Sequence, residues 1–148
     1  FVNDGGVQRA TNVFTVTTSS GWRNLANGLA ITQFYGAAIS PISGVAMGGA
    51  QDNGTSRGTP TSGLNGWTQP GGGDGGFCAV DPVDPNYFYF QTQHLGLRRS
   101  SNGGTSSTGI ASGINDPTNN FASYILLDPN DGNRLYAGGA QLWRTSNA

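Results

Sequence analysis

Leu97-Arg98-Arg99-Ser100-Ser101-Asn102 decides the fold, because the same phrase stands on either side of it. Val7-Gln8-Arg9-Ala10-Thr11-Asn12 precedes it by 97 − 7 = 90 residues, and Leu142-Trp143-Arg144-Thr145-Ser146-Asn147 follows it by 142 − 97 = 45. A second phrase keeps the step: Gly48-Gly49-Ala50-Gln51 returns as Gly138-Gly139-Ala140-Gln141, and 138 − 48 = 90 is two periods. One register, near Asp52 to Arg57, is skipped. A repeat of roughly 40 to 50 residues holding several short strands is the spacing of propeller blades. A single such sheet cannot bury both faces, so the period itself predicts that sheets stack side by side.

Working outward, each period reads as four strands, A to D from the inside out. Apolar runs at residues 34–39, 77–80 and 124–127 suit A strands buried on both faces. Each is followed by proline, in Ser40-Pro41, Asp81-Pro82 and Asp128-Pro129, which removes a backbone donor where pairing must stop. B strands are expected at 45–48, 87–91 and 135–138, C strands at 7–10, 97–100 and 142–145, and D strands at 22–25, 67–69 and 108–111. The C strand of the second unit is expected to be weak, because Thr55-Ser56-Arg57 is hardly apolar. The expected architecture is an all-β propeller segment of three to four antiparallel blades in an incomplete ring. Its approximate units are 1–30, 31–72, 73–119 and 120–148. The first unit lacks its innermost strand and the last its outermost, and an unclosed ring leaves raw strand edges, which gives the expectation of a segment from a larger propeller.

Composition agrees. All seven basic residues are Arg and all eight acidic residues are Asp, so the Glu and Lys that support exposed helices are missing. The 25 glycines suit tight turns between short strands. A net charge of −1 gives no electrostatic footing for nucleic acid, and no apolar run is long enough for membrane insertion. Cys78 is the only cysteine and reads as a small buried hydrophobe. His94 is the only histidine, so a multi-histidine metal site is excluded; no metal and no cofactor are expected.

Ser100-Ser101-Asn102-Gly103-Gly104-Thr105-Ser106 resembles the Asp-box, S-x-D-x-G-x-T-W, with Asn102 in the Asp position and no Trp. More telling is an ordered set: Asn3-Asp4-Gly5-Gly6-Val7, Gly21-Trp22-Arg23-Asn24-Leu25, Gly49-Ala50-Gln51-Asp52-Asn53-Gly54-Thr55, Gly73-Asp74-Gly75-Gly76-Phe77 and Asp81-Pro82. Together they resemble the Asp-box, or BNR-repeat, propellers, which include sortilin-type domains and xyloglucanase-type glycoside hydrolases. That resemblance implies a secreted or cell-surface propeller, bacterial in origin. In the xyloglucanase-type enzymes the catalytic aspartates sit in D-x-G-G contexts across a cleft between two propellers. Asp4-Gly5-Gly6 and Asp74-Gly75-Gly76 match only as D-G-G and lie in neighbouring blades. Sialidases share the Asp-box, but their Tyr/Glu nucleophilic pair has no counterpart in a chain without Glu.

Alternate connections of a blade emerge on opposite faces, so D-to-A and B-to-C loops share one rim. That rim is expected to collect Asp4, Gln51, Asp52, Asn53, Asp74, Gln93 and His94, and polar loop residues gathered at one rim make it the candidate recognition surface. Gln51, Asp52, Asn53, Gln93 and His94 are the candidate ligand-binding residues. Asp74 and Asp4 are the candidate catalytic carboxyls, since glycoside hydrolysis needs two such groups flanking the scissile bond. Bland readings stand beside these: an Asp before two glycines braces its own turn, Asn53-Gly54 accepts positive φ, and His94 is a solvated loop residue. Asp81, Asp84, Asp128 and Asp131 read as structural turns, and Trp22, Trp67 and Trp143 as packing within blades. The expected function is an extracellular module that binds a glycan or protein, assembled with the remainder of a larger propeller or with other copies of itself. Part of a glycoside hydrolase and a self-assembling surface or fibre component are the alternatives.

Overall fold

The computed structural model describes residues 1–3, 6–25 and 32–148, and only the backbone of Asn3 and Gly6. Among these residues there is no helix, and the strands form four antiparallel sheets, none closed into a barrel. Successive meander sheets of this kind are the incomplete propeller-like segment that the period predicts.

The chain divides into two compact units, Phe1–Thr32 and Gln33–Ala148. The first carries one sheet, β1 (Val2–Asn3), β2 (Gly6–Ala10) and β3 (Trp22–Asn24), in sequence order. The Trp22 ring packs edge-on to Phe1 at 5.4 Å, and its indole donates to the Thr17 carbonyl at 2.8 Å.

The second unit carries three sheets. The first runs β4 (Phe34–Ile39), β5 (Ala46–Ala50), β6 (Gly54–Gly58), β7 (Thr68–Gly71). Next come β8 (Cys78–Val80), β9 (Phe88–Thr92), β10 (Gly96–Ser100) and β11 (Thr108–Gly109), and then β12 (Ile125–Asp128), β13 (Asp131–Gly138) and β14 (Leu142–Arg144). The inner strands β4, β8 and β12 neighbour one another in turn, and each stops at or just before its proline. Pro70 sits in β7, an edge strand, where a missing N–H costs no ladder bond.

Burial follows from the two-residue period of a strand. Phe88 and Phe90 point one way to join Val45 and Met47, with Cys78 and Val80 alongside. Tyr89 points the other way, into a cluster with Leu95, Leu97, Ile125, Leu127, Leu135 and Ala137. The sheet of β8 to β11 is thus covered on both faces, which is why Phe88-Tyr89-Phe90 is apolar without alternation. Each of these large side chains contributes about 2–3 kcal/mol by leaving water.

The second unit's C strand differs from expectation. Thr55-Ser56-Arg57 lies in a full five-residue strand, β6, held between β5 and β7 and buried at Thr55. Ladder bonds from both sides outweigh the weak local preference. Its place also explains the skipped register: β6 opens at Gly54, 54 − 6 = 48 residues after β2, and β10 opens at Gly96, 96 − 54 = 42 later. The two offsets sum to 90, so the repeat persists while its middle member shifts by three residues.

Candidate functional site

The B-to-C and D-to-A loops of the second unit converge, and the hydrogen bonds between them define a rim. The Asp52 amide donates to Asp74 Oδ1 at 2.9 Å, and the Asp74 amide donates to Gln93 Oε1 at 3.3 Å. Gln51 Oε1 accepts from the Tyr35 hydroxyl at 2.7 Å, and Gln69 Nε2 donates to the Asn53 carbonyl at 2.8 Å. The His94 amide donates to the Phe121 carbonyl at 3.0 Å, and the two rings meet edge to face at 5.6 Å. Gln51, Asp52, Asn53, Asp74, Gln93 and His94 are therefore brought together. Asp4 lies outside the described residues.

Glycine sets how closely these loops approach. A Cβ on Gly49 would overlap the backbone of Gly76, and one on Gly75 would overlap the Gly54 carbonyl. With hydrogen in place of Cβ, the Gly75 amide reaches the Ala50 carbonyl and the Gly76 amide reaches that of Gln91, both at 3.0 Å. The D-G-G phrase thus locks the loop after β7 onto the hairpins before and after it. Asp74 is half-buried, and one carboxylate oxygen is engaged by its neighbour's turn.

Two turns carry backbone strain. In the β5–β6 hairpin positive φ falls on Asp52 (62°) and Gly54 (67°), not on Asn53; the Asn53 side chain instead donates to the Gln51 carbonyl. This bears out the expected turn and its positive φ at Gly54, and moves the other left-handed position from Asn53 to Asp52. The cause of the move is a three-residue loop that places the left-handed position one residue earlier, where Asp tolerates it. In the β9–β10 hairpin two consecutive non-glycine residues, His94 (55°) and Leu95 (57°), are left-handed. The Gly96 amide closes that turn onto the Gln93 carbonyl at 3.2 Å. His94 is exposed, whereas Leu95 is buried in the core.

Aromatic side chains at the entrances to the inner strands border the rim: Tyr35, Phe77 and Tyr124, the last two stacked at 4.0 Å, together with Phe121 on the loop before β12. None of these was singled out as a site residue from the sequence, although Phe77 and Tyr124 each open a strand read there. Asp116 was also missed. It is buried in the loop after β11, the same kind of connection that carries Asp74, and Asn115-Asp116-Pro117 was its visible signal. Asp116 Oδ2 accepts from the Trp143 indole at 3.2 Å and the Gln141 amide at 3.3 Å. Burial alone would raise its carboxyl, but the donors of Trp143, Gln141, Thr118 and Ala140 outweigh it and hold the group below its ordinary value.

The remaining aspartates brace turns on the other connections. Asp81 Oδ1 accepts the amides of Val83 and Asp84, and Asp84, Asp128 and Asp131 accept those of Asn86, Asn130 and Asn133. Arg134 pairs with Asp131 at 3.1 Å and Asp128 at 3.7 Å. Around Asn102, the Ser100 hydroxyl accepts the Gly104 amide at 2.9 Å and Asn102 Oδ1 accepts the Ser106 amide at 3.0 Å, with Gly103 and Gly104 both left-handed. Arg57 reaches across from β6 to donate to the Gly103 carbonyl. Trp67 lies flat over Gly58, and desolvation pushes the Cys78 thiol up to about 12, although the residue as a whole is half-buried rather than fully buried as expected. Among the described residues no three of His, Cys and Asp gather as a metal site.

Compared with known proteins, the chain matches no family model, and no curated protein matches it.

Proposed function

We propose that the second unit is a recognition module, working outside the cell, whose rim of Gln51, Asp52, Asn53, Asp74, Gln93 and His94 binds a glycan. The observation that carries the reading is the hydrogen-bonded run from Tyr35 through Gln51 and Asp52 to Asp74 and Gln93. It holds amides and carboxylates at fixed spacing beside exposed aromatic rings. Planar polar groups that bond hydroxyls, next to rings that cover a sugar's apolar face, are the chemistry a saccharide demands. Resemblance to the Asp-box propellers supports the same direction, and a protein ligand at this rim is the other occupant it suggests.

Isothermal titration of the chain with soluble xyloglucan and β-glucan oligosaccharides tests this. Binding that Gln93→Ala or His94→Gly abolishes, with thermal stability retained, supports the proposal; no heat from any saccharide at millimolar concentration refutes it. The same mixtures, assayed for new reducing ends, test the hydrolase reading, in which Asp74 acts with a second carboxyl. That reading draws on the closeness of the Asp52 and Asp74 loops. Self-association is a second reading, favoured by the apolar residues exposed on the inner strands, Phe34 and Ile39 on β4 and Leu126 on β12. Light scattering across a concentration series distinguishes it.

A further inference from the structure

Between the last two sheets of the second unit, away from the rim, lies a cavity of about 400 Å³. Leu97, Ile110, Leu135 and Trp143 wall it, and Arg99 and Arg144 stand on its border; no acidic side chain lines it. Arg99 also lines an adjoining cleft with Tyr87, Asp81 and Asp84. Among the described residues neither arginine has a carboxylate within ion-pair distance, although Arg134 on the neighbouring strand has two. Asp81 and Asp84 are already engaged by the backbone amides of their own turns.

Behind the cavity wall lies the Tyr89 hydroxyl. It is buried and has no hydrogen-bond partner. Tyr89 is the cross-strand partner of Arg99, and its ring packs with Leu97, Leu135 and Ala137, which line the cavity. Tyr89 itself lines neither the cavity nor the cleft; its hydroxyl lies behind their walls, in the field of Arg99, Asp81, Tyr87 and Asp84. Arg99 shares its cleft with Asp81 and Asp84 but forms an ion pair with neither, so its guanidinium donors remain open to a ligand's carboxylate in the cavity.

We infer that this cavity is a binding site for a small amphipathic anion, its planar or branched apolar body against Trp143, Ile110 and Leu135 and its carboxylate at Arg99. Arg144 adds charge at the mouth. The bland alternative, an interblade gap filled by solvent, gives no preference for charge.

Indole-3-acetate and indole-3-acetamide, equal in shape and different in charge, are the probes, titrated calorimetrically into the intact 148-residue chain. The expected result is binding of the acetate with a Kd below about 1 mM and at least about tenfold tighter than the amide, the size of one charge-assisted hydrogen bond. Arg99→Gln reduces the acetate to the level of the amide, and Arg99→Lys restores part of the preference. Ser112→Trp, at an exposed lining position, blocks the mouth and weakens both probes without altering the core. Circular dichroism identifies a variant that fails to fold; if Arg99→Gln does so, Arg99→Lys and Ser112→Trp decide. Equal affinity for the two probes, no binding of either at millimolar concentration, or a preference that survives Arg99→Gln overturns the inference.

Discussion

The β9–β10 hairpin offers a test in which two adjacent substitutions of one kind have different outcomes. His94 and Leu95 both adopt left-handed φ, which costs an L-residue about 1–2 kcal/mol. Glycine relieves that strain and adds back about 0.5–1 kcal/mol of chain entropy. At position 94 the only further loss is the edge contact with Phe121, about 0.5–1 kcal/mol. The terms nearly cancel, so His94→Gly stays within about 1 kcal/mol of the parent. Leu95 is only 2% exposed and packs in the cluster of Tyr89, Leu97 and Ile125. Removing a buried leucine costs about 2–5 kcal/mol, so after strain relief Leu95→Gly loses about 3 kcal/mol. Equilibrium urea denaturation, followed by circular dichroism, measures both. Equal losses in the two variants, or a neutral Leu95→Gly, refute the reasoning that core burial of Leu95 holds this turn in its strained form.

Three further outcomes are expected. Because the folded Asp116 carboxyl lies below the 3.8 of a free side chain, the unfolded chain takes up its proton more readily. The stability it confers is fully present above that value and is lost as pH falls through and below it, so urea midpoints of Asp116→Asn decline less steeply on acidification than those of the parent. Desolvation pushes the Cys78 thiol up to about 12, so the folded protein reacts with a disulfide reagent much more slowly than the unfolded chain; equal labelling rates in the two states contradict that shielding. Gly49→Ala, whose methyl meets the Gly76 backbone, destabilises by about 1–3 kcal/mol, and a thermal midpoint equal to the parent's denies the close approach of those loops.

Most strand positions were legible in the chain because their signals are local. An apolar run such as Phe77-Cys78-Ala79-Val80 stopped by Asp81-Pro82 carries its own stop, and β4 lies at residues 34–39 as read, but Phe34, Tyr35 and Ile39 are exposed, so β4 is not buried on both faces as expected. Of the rim, the gathering of Gln51, Asp52, Asn53, Asp74, Gln93 and His94 was legible from strand order alone, since alternate loops of a meander emerge together. The bonds that fix the rim were not, because Asp74 finds Asp52 22 residues away and Gln93 19 away through packing of separate sheets.

The repeat by itself determined that short antiparallel sheets follow one another, for each unit must cover its apolar face with the next. Tertiary structure alone decided the rest: β6 as a full strand, positive φ at Asp52, the buried Asp116, and the cavity beside Arg99. Each depends on what a distant segment supplies, whether ladder bonds, amide donors, a hydrophobic anchor or the absence of a filling side chain. Such terms outweigh local preferences of a few tenths to about 1 kcal/mol per residue, and they arise only once the chain has brought its repeats together.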